Sequence, residues 1–250
     1  MTVFDVRTRW LRGVGAPGAK IRLVCLPHAG GAASSFHAWT ALTPPEVEVV
    51  SVQYPGRQDR LSEPCPATME ELADAVTNAL LHELTDDLPL ALFGHSMGSA
   101  VAYEVARRLA EIPGRTVTRL IVSGRSRPRT ARELAPRPAP ADAEILDYVR
   151  VLDPGGAAVY EHPALREVIM PSLRADFGIL ARYRPTRLHR LDVPVTACGG
   201  DRDPACAVAG LSQWADVTTQ GLEIRAFEGN HFYLNPRREE LVEFVVGRVL

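Results

Sequence analysis

The sequence predicts an α/β fold, with a mostly parallel central sheet, helices on both faces and an inserted helical lid. Two observations predict it. Short apolar runs at Ile21–Leu26, Val47–Val52, Leu88–Phe93, Leu120–Ser123, Val193–Cys198 and Leu222–Phe227 alternate with helical patterns, as parallel strands joined by crossover helices require. The alternation stops over residues 125–190, where no strand pattern occurs and two helical patterns do. Residues 1–250 therefore read as one domain carrying the 125–190 segment as an insertion, and 46% hydrophobic content supplies a core for it.

The elements follow in chain order. Residues 1–20 lack the apolar core of a signal sequence, so a cytoplasmic location is expected. Gly13-Val-Gly15-Ala-Pro-Gly18 fits a dinucleotide-binding pattern but precedes the first strand instead of following it, and Pro17-Gly18 opens no helix. Met69, Leu72, Ala73, Val76, Leu80 and Leu84 share one helix face, and Thr68 with Glu71 forms a capping-box pattern before it. After the third run, Met97, Ala100, Val101, Glu104, Val105 and Leu109 repeat at helical spacing. The insertion holds helical patterns over Ala141–Leu152 and Pro163–Tyr183, with Pro171 expected to start or kink the second. An insertion placed after a strand of such a sheet covers the strands' carboxyl ends, where ligands bind, so it is read as a lid. Asn235-Pro236 supplies an N-cap and first-turn proline for a closing helix through Leu241, Phe244, Val245 and Val249.

Composition removes several classes of function. A net charge of -2 lacks the basic surplus of a general nucleic-acid binder. No apolar run approaches the roughly 18 residues that cross a membrane. Cys25, Cys65, Cys198 and Cys206 form no C-x-x-C pair, so free thiols are expected and no metal site.

The chemistry lies in Leu88-Pro-Leu-Ala-Leu-Phe-Gly-His-Ser-Met-Gly-Ser99, where an apolar run breaks into Gly94-x-Ser96-x-Gly98 and continues as a helix. Such a strand-turn-helix lifts a serine hydroxyl to where a base can reach it, and the Met97 N–H at the helix start faces a developing oxyanion. A serine nucleophile needs an imidazole to take its proton and a carboxylate to orient that imidazole. In α/β-hydrolase order the acid comes next, and Gly199-Gly200-Asp201-Arg202-Asp203 directly follows the fifth run. Asp201, next to the glycine pair, is the expected acid; Asp203 is the alternative, although Asp203-Pro204 also suits capping of the following turn. The base comes last, at His231 in Gly229-Asn230-His231 after the sixth run. His95 would point away from its neighbour's hydroxyl and His28 precedes the acid, so His28 is read as a pocket or loop-shaping residue. The loop Pro27-His28-Ala29-Gly30-Gly31 after the first run supplies the second oxyanion donor, assigned to the Ala29 amide.

With these residues in place the chain resembles the type II thioesterases that accompany polyketide synthases and nonribosomal peptide synthetases. The resemblance covers nearly the whole chain and rests on Pro27-His-Ala-Gly-Gly31, Tyr54-Pro-Gly-Arg57, Gly94-His-Ser-Met-Gly98, Pro171-Ser-Leu-Arg-Ala-Asp176 with Phe177, Gly200-Asp201 and Gly229-Asn-His-Phe232. It implies proofreading in antibiotic biosynthesis: hydrolysis of stalled or aberrant acyl groups from the phosphopantetheine arm of acyl or peptidyl carrier protein domains. It maps the family's catalytic residues onto Ser96, Asp201 and His231 and its oxyanion amides onto Ala29 and Met97. No cofactor or metal of its own is implied, because phosphopantetheine arrives on the partner, and a monomer is expected. A free-standing domain of this length favours editing over the product release or macrocyclisation of a synthase's terminal domain. A carboxylesterase acting on free small esters would share the elbow and triad, and a noncatalytic carrier-binding module would share the fold. One departure is the arginine-rich stretch Arg125-Ser-Arg-Pro-Arg-Thr-Ala-Arg132 with Arg137 beyond, which at the lid's entrance would attract an acidic carrier or its phosphate, or is a solvated loop.

Overall fold

Strands β1 (Phe4–Arg7), β2 (Leu11–Gly15), β3 (Ile21–Leu26), β4 (Val47–Val52), β5 (Leu90–His95), β6 (Val117–Ser123), β7 (Val195–Gly200) and β8 (Leu222–Phe227) join in one sheet, in the spatial order β1-β2-β4-β3-β5-β6-β7-β8. The computed structural model describes residues 4–84, 86–115, 117–135 and 137–250. From β4 through β8 every pairing is parallel, while β2 runs antiparallel to both β1 and β4. This is the α/β-hydrolase arrangement, with the reversal of chain order between β4 and β3 beside the central strand β5.

Three strands coincide with the apolar runs that predict them, and two are displaced. β5 and β7 each begin two residues later than Leu88 and Val193. Pro89 and Pro194 stand just before them and, having no N–H, contribute only carbonyls, to Arg22 and Leu120. The strands regain that length at their other ends by running on through Gly94-His95 and Gly199-Gly200. β1 and β2 carry no apolar run, so no strand is expected from their sequences. Two glycines of the dinucleotide-like pattern, Gly13 and Gly15, belong to β2, and a Cβ at Gly13 would lie 2.7 Å from the Val49 carbonyl oxygen, so that position reports close strand packing.

Alternation along the strands makes two cores. Val24, Leu26, Val50 and Val52 face α1 (Met69–His82) and α2 (Met97–Leu109). Leu23, Cys25, Ala91 and Phe93 face the other way, toward Phe36 and Trp39 of the 3-10 turn Ala33–Ala41 and toward Leu241, Val242 and Val245 of α5 (Arg238–Val249). The α5 start differs from the sequence expectation. Asn235 is held in a turn by its N–H to the Phe232 carbonyl (3.0 Å), and the helix begins after Arg237. Cap chemistry at α1 follows the pattern: Thr68 Oγ1 accepts from the Glu71 N–H at 3.1 Å, while the Glu71 carboxylate reaches one residue further, to the Ala67 N–H at 2.7 Å.

Residues 125–190 hold α3 (Asp142–Leu152), a 3-10 turn over Gly156–Glu161, and α4 (Pro163–Arg182). Pro163 opens α4, which continues through Pro171, so Pro171 does not start a helix. Ile145, Leu146, Val149, Met170 and Leu173 bury one another in a small core separate from the two against the sheet. Among the described residues no helix is long and apolar enough to cross a membrane.

Removing the α1 cap isolates its contribution. Thr68→Ala should lower the unfolding free energy by about 1 kcal/mol in urea denaturation at unchanged m-value, and a change below about 0.3 kcal/mol would show that the cap carries no net stability.

Candidate active site

The elbow is built by two close backbone approaches. A Cβ at Gly94 would lie 2.1 Å from the Gly98 carbonyl oxygen, and a Cβ at Gly98 would lie 2.0 Å from the Leu26 carbonyl oxygen, so neither position admits a side chain. Between them Ser96 takes φ 54°, ψ -114°, a conformation that most residues avoid. The strain is held from β6: the Ser96 N–H donates to the Ser123 carbonyl at 2.7 Å, and the Ser99 hydroxyl donates to the Gly94 carbonyl at 2.8 Å or that of Ser123 at 3.0 Å while accepting from the Ser123 N–H. Ser96 is partly exposed where the neighbouring residues are buried.

His231 follows β8 on a loop that crosses the end of β7 so closely that a Cβ at Gly200 would lie 2.3 Å from the Asn230 carbonyl oxygen. Its Nδ1 meets Asp203 Oδ2 at 2.8 Å, with both side chains buried. The carboxylate that meets His231 is thus Asp203 and not Asp201, the residue expected there. Asp201 is still in register with β8, its N–H on the Phe227 carbonyl, and its exposed carboxylate accepts the Gly229 N–H at 2.8 Å. Two residues later the chain has turned back, with the Asp203 N–H on the Gly200 carbonyl, and Asp203 lies under the imidazole. The capping role expected of Asp203 is also present, on the other oxygen: Oδ1 accepts from the Ala205 N–H (2.8 Å) and the Cys206 N–H (3.3 Å).

Three imidazoles crowd this end of the sheet. His95 lies 4.9 Å from His231 and 5.9 Å from His28, ring centroid to centroid. Among the described residues, only His231 of the three meets a carboxylate. His95 Nδ1 pairs with the Ser123 hydroxyl at 2.9 Å, and burial holds His95 well below the usual histidine range. An ionised carboxylate only accepts hydrogen bonds, so the Asp203 contact places the proton of neutral His231 on Nδ1 and leaves Nε2 as an acceptor. That Nε2 is buried and has no hydrogen-bond partner among the described residues. Ser96 and His231 line one cavity of about 340 Å³ with Ala29 of the first loop and the apolar side chains Val149, Leu152, Phe177 and Leu180 of α3 and α4. Met97, the other expected oxyanion residue, opens α2 immediately after Ser96.

A thioesterase domain model matches residues 21–248. The chain belongs to the thioesterase domain family. It is accordingly a hydrolase of thioesters, and it is similar over almost its whole length to type II thioesterases of polyketide and nonribosomal peptide pathways. It is 38% identical to thioesterase PikA5 of Streptomyces venezuelae over 96% of this chain and 85% of that protein. Among solved structures, the type II thioesterase BorB from the borrelidin biosynthetic cluster matches at 33% identity and TM-score 0.81, covering 100% of both chains. RedJ, from the prodiginine pathway of Streptomyces coelicolor, matches at 38% identity and TM-score 0.81 over 93% of this chain and 87% of its own.

In this thioesterase two residues quoted for their motifs, but given no role by sequence, tie the first loop to the insertion. Arg57 makes a two-pronged pair with Asp176 of α4, at 2.7 and 3.0 Å, with both side chains buried. Asp176 also accepts the Gly30 N–H at 2.7 Å, and Arg57 donates to the Gly31 carbonyl at 3.2 Å. Burial opposes the Arg57 charge, but Asp176 outweighs it and holds the guanidinium above its ordinary range. The available signal was an acidic residue in the stripe Leu173, Asp176, Ile179, whose spacing otherwise marks a buried face. His28 shapes the same loop: its ring occupies the space that a Cβ on Gly31 would enter, at 2.7 Å. Burial, then the charges of His231 and Arg57, lower His28 to about 4.

Two measurements test these contacts. Asp176→Ala leaves Arg57 buried without its acid and should cost about 3–5 kcal/mol in denaturant unfolding, whereas Arg57→Met/Asp176→Leu should recover most of it; an Asp176→Ala loss under 1 kcal/mol would refute the coupling. The unfolded chain takes up a proton at His28 near pH 6.5 that the folded chain refuses until about 4. Stability from this group is therefore whole above 6.5 and is lost as pH falls toward 4. His28→Gln should make the stability profile flatter over that interval, and superimposable profiles would contradict the assignment.

Proposed function

We propose that this thioesterase edits carrier-bound intermediates, hydrolysing stalled or aberrant acyl groups from the phosphopantetheine arm of acyl or peptidyl carrier proteins. The observation that carries the chemistry is the His231–Asp203 contact, which leaves Nε2 available in the cavity that Ser96 lines. The editing role is supported by similarity to proteins titled type II thioesterases, BorB among them across the full length of both chains.

The reaction runs in two halves. Ser96 Oγ attacks the thioester carbonyl carbon while His231 Nε2 takes the hydroxyl proton, and Asp203 stabilises the imidazolium that forms. The Ala29 and Met97 amides receive the oxyanion of the tetrahedral intermediate. Collapse breaks the C–S bond, the pantetheine sulfur leaves with the proton from His231, and the acyl group stays on Ser96 as an ester. A water then enters, gives a proton to His231 and attacks the ester; Ser96 recovers its proton as the carboxylic acid departs. The arm enters under the α3–α4 segment, acting as a lid, while the carrier domain remains outside, so the cavity beneath the lid limits the length and branching of the acyl chain. The protein acts as a cytoplasmic monomer with no cofactor of its own.

Intact-protein mass spectrometry of acetyl-, propionyl- and longer acyl-carrier proteins, beside matched free esters, tests the reading. Wild type should remove acyl mass from carriers faster than it cleaves the esters, and ester cleavage with untouched carriers would make it an esterase instead. Ser96→Ala should lose turnover by about 10⁴-fold or more with the fold retained. Asp203→Asn should lose about 10⁴-fold, because an amide stabilises the wrong imidazole tautomer, while Asp201→Asn should stay within about tenfold of wild type. The reverse order for the two aspartates would return the role to Asp201.

A further inference from the structure

Two cavities meet at Ser96 and His231. One is the cavity already described, to which α3 and α4 contribute Val149, Leu152, Phe177 and Leu180 and which Arg125 and Asp153 also border. The other, of about 250 Å³, runs from Ser96 and His231 past Gly124 and Arg125 to Arg127, Arg129 and Arg184. Beside it lies a hollow of about 530 Å³ that shares Arg125 and Arg184 and adds Arg137. Arg127 is neutralised within the fold by Glu133 at 2.6 Å and Asp216 at 2.8 Å.

The other four arginines are different. Arg125, Arg129, Arg137 and Arg184 form no side-chain ion pair among the described residues. The Nε atoms of Arg125 and Arg184 are enclosed without a hydrogen-bond partner, and Arg184 spends its Nη1 on the neutral carbonyls of Leu180 and Tyr183. Glu144, whose carboxylate lines the hollow, is engaged by the Ala141 N–H at 2.8 Å. The four guanidinium groups also feel one another: after burial, Arg129 and Arg137 lower the pKa of Arg184, and Arg184 contributes to lowering that of Arg125. Guanidinium groups stay charged at neutral pH, and like charges held together without a counter-ion cost free energy. A fold that gathers them at the mouth of its reactive cavity is completed by an anion that comes with the substrate.

We propose that this arginine cleft binds the phosphate of the pantetheine arm, with the thioester at Ser96 and the acyl chain in the apolar cavity. This rests on the thioesterase reading above. A carboxylate at the far end of an acyl chain is the other source of the same anionic chemistry. The phosphate is favoured because Val149, Leu152 and Phe177 line the other cavity, whereas Arg129 and Arg184 line only the basic cleft and its neighbouring hollow, which leaves the cleft for the other end of the substrate.

The test compares butyryl-pantetheine, butyryl-4'-phosphopantetheine and succinyl-pantetheine on the full chain and on Arg129→Ala/Arg137→Ala, two exposed positions whose change leaves the core intact. The ratio of kcat/KM for the phosphorylated over the unphosphorylated butyryl substrate should be about tenfold or more in wild type and should fall to within about twofold in the double variant. Arg129→Lys/Arg137→Lys should keep most of the ratio. Calorimetric titration with the S-butyl thioethers of pantetheine and phosphopantetheine, which cannot be hydrolysed, should show the same phosphate dependence in Kd. Equal values for both arms in wild type, or a ratio that the alanine variant keeps, overturns the proposal. So does a preference for succinyl over butyryl that the variant loses, which would put the anion on the acyl chain. Absence of turnover with any thioester, alongside phosphate-dependent binding, would instead sink the thioesterase reading and leave the anion site standing.

Discussion

The buried pair of Arg57 and Asp176 is the constraint on which the site depends. It joins three parts of the chain distant in sequence: the turn after β4, the loop after β3 that carries Ala29, and helix α4 of the insertion. The charges are not needed for stability alone, since an apolar pair of similar volume should recover most of what Asp176→Ala loses. What the ions provide is direction. A guanidinium and a carboxylate with two parallel bonds fix one relative orientation, and further hydrogen bonds tie Asp176 to the Gly30 N–H and Arg57 to the Gly31 and Pro55 carbonyls. The loop that carries Ala29 is thereby positioned by helix α4, and both line the cavity.

The second organising feature is the division of labour at Asp203. One oxygen holds the turn Ala205-Cys206 and the other holds the His231 ring, so the carboxylate cannot rotate away from His231 without releasing that turn. The three imidazoles near Ser96 are equivalent in chemistry and close in space. The carboxylate selects among them, and burial keeps His28 and His95 neutral.

Much of this was legible before any coordinates. The strands of the parallel core announce themselves as apolar runs because both faces of that sheet are buried, and the elbow is readable because strand, glycines and helix are contiguous. What escaped the sequence depends on tertiary contact. β2 is only partly buried and carries glycines at its crossing with β4, so it shows no strand pattern. Asp201 and Asp203 are indistinguishable by spacing from the strand, and the chain reversal after Gly200 decides between them. Arg57 and Asp176 lie 119 residues apart, so nothing local reveals that they meet. The arginine-rich segment was visible as composition, but not that Glu133 and Asp216 neutralise only Arg127.

Ser96 occupies its left-handed backbone conformation at a cost of about 1–3 kcal/mol, a conformation that glycine would adopt freely. The resting protein is therefore less stable than its own scaffold permits, and part of the deficit sits at the serine that lines the cavity. Mutational drift that favours robustness alone would replace Ser96 before it touched the cores. The Ser99 hydroxyl and the Ser123 backbone are what hold that turn in place.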